Sequence, residues 1–136
     1  MISDQQRLIC LHRMERAVNT LREARVLFSN QMPQGTVNRI YYTMFYAVGA
    51  LALAHGFRTS KHTGLQSWFN QNILRKGLIE ANLGKLYHRA FELRNRSDYT
   101  DLVELDAEVI GSMLEQAEPF IGRIEELLME QLQKEK

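Results

Sequence analysis

From Thr36 to His55 the chain is apolar almost all the way round a helical wheel, with Val37, Ile40, Tyr41, Met44, Phe45, Val48, Leu51 and Leu53 leaving little room for a solvated face. A helix of that kind is covered on most sides, either at the centre of a bundle or at a subunit interface. The other segments are amphipathic with a period near that of a helix. None sustains the period-two alternation of a strand. The pattern predicts an all-α fold: an antiparallel up-and-down bundle of four main helices plus a short one.

The first predicted helix, Asp4 to Asn30, carries Leu11, Met14, Val18, Leu21 and Phe28 on one stripe and arginines over much of the rest. Pro33 and Gly35 predict a stop and a short connection before the helix from Thr36, which Gly56 ends. Thr59 or Ser60 is the expected cap of a short helix over Lys61–Leu74, whose Leu65, Trp68 and Phe69 read as core rather than as a base-stacking platform. Gly77 closes that piece. The next helix, Glu80 to Arg96, contains Gly84, where a close helix–helix approach is possible. After an Asp98–Leu102 connection, the last helix runs from Asp106 to Gln131 with a stripe from Val109 through Met113, Ala117, Phe120 and Ile124 to Leu128. A kink is expected at Pro119 and fraying from Gln131 onward. With no repeat or linker, residues 1–136 read as one domain with its ordered core over residues 5–130.

Composition removes several function classes. The single cysteine, Cys10, excludes an internal disulfide and a cysteine-based zinc site, and suits a cytoplasmic protein. The most apolar run, Met44 to Ala54, is well short of the ~20 residues that cross a bilayer, so no membrane association is expected. There is no Glu-x-x-His, His-Glu-x-x-His, phosphate-loop or Gly-x-Ser-x-Gly pattern. His12, His55, His62 and His88 fall in separate segments without ligand spacing, and His88 with Glu92 makes only a lone pair. No metal and no cofactor is expected.

Charge is distributed unevenly. Residues 1–100 carry 14 Lys and Arg against 6 Asp and Glu, whereas residues 101–136 carry 3 against 10. At the boundary stands Leu93-Arg94-Asn95-Arg96-Ser97-Asp98-Tyr99, a cluster able to grip phosphate through the guanidinium fork. Arg39, Tyr42 and Tyr46 share one face of the second helix. One reading has Arg39 and Tyr42 join Arg94, Asn95, Arg96 and Asp98 around a cleft for nucleotide or RNA phosphate. The other is purely structural: the phenols pack, Arg39 pairs with an acid on the C-terminal helix, and Arg94 or Arg96 caps its helix and pairs with Asp98.

The order of these blocks, Asn38-Arg39-Ile40-Tyr41-Tyr42 through Ala47, Ser60-Lys61-His62-Thr63-Gly64-Leu65, Phe69-Asn70, Arg75-Lys76-Gly77 and Leu93 to Tyr99, resembles the HEPN domain family. The likeness is to its small stand-alone prokaryotic branch and covers residues 5–130. It implies a helical bundle that forms a homodimer and partners a nucleotidyltransferase, often in a toxin–antitoxin module. Many relatives are metal-independent ribonucleases whose motif places an arginine and a polar residue shortly before a histidine, one copy on each side of the dimer. Arg94 and Asn95 match the start of that motif, but Asp98 and Tyr99 stand where the histidine is expected. In some relatives a tyrosine beside the motif accepts AMP, which makes Tyr99 a candidate for modification. Three functions follow from the residues and the resemblance together: phosphate binding at a dimer cleft, a pure protein-interaction module, and a ribonuclease with a degenerate motif in which Arg94 and Asn95 are catalytic.

Overall fold

The computed structural model describes residues 2–99 and 105–135. Five α-helices account for nearly all of them: α1 Asp4–Ser29, α2 Pro33–Ala54, α3 His62–Phe69, α4 Ala81–Tyr99 and α5 Ala107–Lys134, with a turn of π-helix over Asn70–Leu74 continuing α3. No strand occurs among the described residues. Contacts between α1 and α2 run in opposite order along the two helices, from Arg39 against Glu23 to Arg13 against Gly49. In the same way α5 runs against α1, with Glu118 at Arg25 and Leu132 at Arg7, and α4 runs against α2, with Arg94 at Tyr42. The fold is therefore an up-and-down bundle with α2 at its centre.

Local chemistry sets the ends of the helices. Ser3 and Gln6 form a reciprocal capping box on α1, with the Gln6 amide donating to Ser3 Oγ at 3.0 Å and the Ser3 amide to Gln6 Oε1 at 2.9 Å. Pro33 does not lie in the connection, as expected from sequence, but occupies the first turn of α2, where its missing N–H costs nothing. The break falls instead at Gln31, a non-glycine residue at φ 58°. Gly56, at φ 82°, ends α2 in the left-handed conformation that glycine adopts freely. Asp106 caps α5 by accepting from the Glu108 amide at 2.8 Å.

Thirteen residues of α2 are buried, including Ile40, Tyr41, Met44 and Leu51 at zero exposure. Each large side chain of that set contributes roughly 1.5–3 kcal/mol by leaving water. Their partners are the small stripe Cys10, Ala17 and Ala24 of α1 and the larger Ile110, Phe120, Ile124 and Leu128 of α5. The stripes differ in register from expectation. Leu11 and Val109 are exposed, and their neighbours Cys10 and Ile110 face inward. Leu65, Trp68 and Phe69 are core, as the sequence predicts.

Two further expectations are corrected. Helix α4 continues through Asp98 and Tyr99 rather than ending at Arg96, and an Arg94–Asp98 ion pair one turn apart holds its last turn. Helix α5 does not fray after Gln131. It continues to Lys134, with Leu132 buried, its carbonyl accepting from Arg7 Nη2 at 2.7 Å and the Ile2 amide donating to Glu135 Oε2 at 3.2 Å. Gly84 permits the expected close approach, since a Cβ there would overlap Leu74 Cδ1.

Candidate phosphate-binding site

Because α2 is covered on most sides, its one partly open face is conspicuous: Arg39, Tyr42, Phe45 and Tyr46, each half-buried. The Tyr42 ring is the hub. Arg39 Cζ lies 5.2 Å from its centroid and Arg94 Cζ, arriving from α4, lies 5.3 Å from it. Arg94 Nη2 also donates to Tyr42 Oη at 3.2 Å, and its Cζ stands 5.5 Å from the Tyr41 centroid. Two cations thus share one phenol ring, whose negative face attracts both.

Each arginine is steadied by its own neighbours. Arg39 Nε and Nη2 both donate to Asn38 Oδ1, at 2.9 and 2.7 Å, and Nη1 reaches Glu23 Oε1 on α1 at 3.4 Å. That acid comes from the first helix, not from the C-terminal one. Arg94 Nε lies 2.9 Å from Asp98 Oδ2, and Nη1 donates to Asn95 Oδ1 at a long 3.3 Å. The Nε contact is one of charge: the buried Nε has no aligned hydrogen-bond partner. Of the five guanidinium N–H groups, only the two long bonds to Asn95 and Tyr42 are made.

The structure brings in a residue that sequence reasoning set aside. His62, at the start of α3, places Nδ1 2.6 Å from Tyr41 Oη. Its ring stacks on Phe45 with centroids 4.4 Å apart and meets Tyr42 edge-on. Burial lowers the His62 pKa below its ordinary value, and the Arg94 guanidinium lowers it further. Burial pushes the Tyr41 phenol far upward, so it keeps its proton. If that phenol donates to Nδ1, the imidazole proton sits on Nε2; if Nδ1–H donates to the phenol, Nε2 is a free base. The signal for His62 lay in the sequence as one block of the family-like order, but spacing alone gave no hint that α3 returns to α2 beside Arg94.

The remaining candidates are dispersed. Asn95 and Asp98 both contact Arg94. Arg96 is exposed and points away from Tyr42, lining a groove between α4 and α5 with Arg89 and Glu108. Tyr99 ends α4, and its side chain lies outside the described residues. His88 Nε2 pairs with Glu92 Oε1 at 2.6 Å on an exposed surface, and the other ring nitrogen meets Gln66 Nε2. Among the described residues no three His, Cys, Asp or Glu side chains converge in a way that could hold a metal ion, and no helix is long and apolar enough to cross a membrane.

Known proteins share this sequence over most of its length. A UPF0332 protein of Thermotoga maritima is 42% identical over 113 residues, which cover 83% of this chain and 86% of that one. A Methanocaldococcus jannaschii protein bearing the name "Putative toxin" is 32% identical over 117 residues, covering 86% and 87%. A UPF0332 protein of Archaeoglobus fulgidus is 28% identical over 111 residues, covering 82% and 88%. The family model of the HEPN domain matches residues 11–127, and the chain belongs to the HEPN domain family.

Proposed function

We propose that this is a toxin-type HEPN protein that binds RNA or nucleotide phosphate at the Arg39–Tyr42–Arg94 site, as a homodimer and with a nucleotidyltransferase as partner protein in the cytoplasm. One observation carries the reading. Arg94 is held flat against two phenol rings with three of its five N–H groups free of hydrogen bonds, a guanidinium oriented in advance for a bidentate anion. The toxin name borne by two of the similar proteins, each aligned over more than four-fifths of this chain, agrees with an RNA-directed role.

The test is a titration of labelled single-stranded RNA, and separately of ATP, at low ionic strength. Arg94→Ala is expected to weaken binding about tenfold or more, the loss typical of a charged hydrogen bond. Unchanged affinity in that variant removes the reading. Sedimentation of the purified protein checks the dimer, and co-purification with a co-expressed nucleotidyltransferase checks the partner. Tyr99 is then the candidate acceptor: its oxygen would attack the α-phosphorus of ATP, pyrophosphate would leave, and the protein would gain one adenylate in mass.

His62 favours a second reading, cleavage. With the motif histidine absent after Arg94, a neutral imidazole on the neighbouring aromatic face is the group suited to proton transfer at a ribose 2′-hydroxyl. Metal-free incubation with RNA separates the two: loss of cleavage in His62→Gln with RNA affinity retained identifies a ribonuclease, and no cleavage by the parent protein leaves binding alone.

A further inference from the structure

The largest cleft in the molecule is not the one at Arg94. About 620 Å³ in volume, it opens between α1, the second half of α2 and the segment that leads into α3. Arg13, Arg16 and Arg58 project into it, all exposed, and the half-buried rings of Phe45, Tyr46 and Phe57 line its wall. No carboxylate lines it, and none of the three arginines has an acidic partner among the described residues. By contrast Arg25, Arg39, Arg94 and Arg123 are each paired with an acid. Arg16 is stacked over Tyr46 with Cζ 4.3 Å from the centroid, which fixes its plane and leaves its N–H edge toward the cleft. Arg13 Nη1 rests on the Gly49 carbonyl at a long 3.4 Å. Such a volume falls in the ordinary range of ligand sites, roughly 300–1,000 Å³.

We propose that this cleft is a second subsite for single-stranded RNA, taking a base against Phe57 and the Arg16–Tyr46 stack and holding the flanking phosphates with Arg13 and Arg58. Guanidiniums interleaved with aromatic faces are the chemistry of single-strand binding, because every base has a π face and every linkage a negative charge. An acidic peptide would use the arginines and leave the rings unsatisfied. The cleft also joins the Arg94 site without a break: Tyr46 and Tyr42 lie 5.7 Å apart between centroids, and Phe45 stacks on His62 between them. The strand therefore runs along the open face of α2, from Arg94 at one end to Arg58 at the other. The hydroxyls of Thr59 and Ser60 on the rim offer partners to a ribose 2′-hydroxyl. The proposal rests on the RNA-binding reading of the Arg94 site and extends it.

The experiment measures binding of fluorescein-labelled hexauridylate to the full chain across a salt series. The parent, R16A/R58A, R16K/R58K, F57L and Arg94→Ala are compared after their melting curves show folded protein. R16A/R58A is expected to bind more weakly, with the slope of log affinity against log salt reduced by about 1.4 for two lost phosphate contacts on a single strand. R16K/R58K should keep the slope, which separates lost charge from damaged folding. F57L should lose about fivefold or more with the slope unchanged, as expected for a stacking contact. If Arg94→Ala loses binding while R16A/R58A retains parental affinity and slope, the cleft is not a subsite and the Arg94 reading stands alone. If only R16A/R58A loses binding, the cleft stands and the Arg94 reading falls. No binding by the parent overturns both, and if the parent then retains poly-L-glutamate but R16A/R58A does not, the cleft belongs to an acidic protein.

Discussion

His62 shows how much one side chain can depend on where another helix places it. Its imidazole is pressed between Phe45 and Tyr41 and faces the Arg94 charge, so its proton affinity is lowered in the folded state. Below its ordinary pKa of about 6.5 the unfolded chain takes up a proton that the folded chain resists. The fold is therefore fully stable with respect to this group above about pH 6.5 and loses stability as pH falls below it, until the folded value is reached. His55, lowered by burial and by Lys134 and Lys76, acts with the same sign. Urea midpoints at pH 7.5 and pH 5 should differ less in His62→Gln than in the parent. An equal drop in both would show that the imidazole is not the group responsible. Neither histidine's titration was legible in the sequence, because the cause lies in residues twenty or more positions away.

At the scale of helices, sequence reading went furthest where side chains are large and least where they are small. The centre of the bundle was visible in the all-round apolar run of α2. The inner stripe of α1 was misplaced because Ala17 and Ala24 are weak hydrophobic signals yet fill the narrow space against α2 better than Leu11 would. Helix α4 was cut short because Asp98 reads as a terminator, whereas its carboxylate stabilises the helix by reaching back to Arg94. Pro119 is the opposite case: α5 passes through it without interruption, and the residue is exposed. Proline in a helix interior costs about 3 kcal/mol relative to alanine. Pro119→Ala is thus expected to raise unfolding stability by about 1–3 kcal/mol in a denaturant titration. A lower midpoint would show that the ring supports packing beside Leu78.

On the scale of the molecule, the end of α5 closes the bundle rather than trailing from it. Leu132 is buried, and the last turn is tied to Arg7 and Ile2 of the opposite terminus. Removing residues 131–136 should lower stability by about 2 kcal/mol or more, from the lost burial of one leucine and the bonds around it. A melting temperature equal to that of the full chain would contradict this. The uneven charge of the sequence was legible from composition alone, but its arrangement in space was not. The acids of α5 meet Arg25 and Arg123 and border the α4–α5 groove at Glu108, and none of them lines the arginine cleft.

That separation makes the whole protein an electric dipole, with its positive pole at the open face of α2. In the field of a polyanion such a body feels a torque before it feels a contact, and turns its arginines forward while still several water layers away. Its collisions with RNA are then productive more often than chance orientation allows. This advantage belongs to the rate of association, and dissolved salt removes it first.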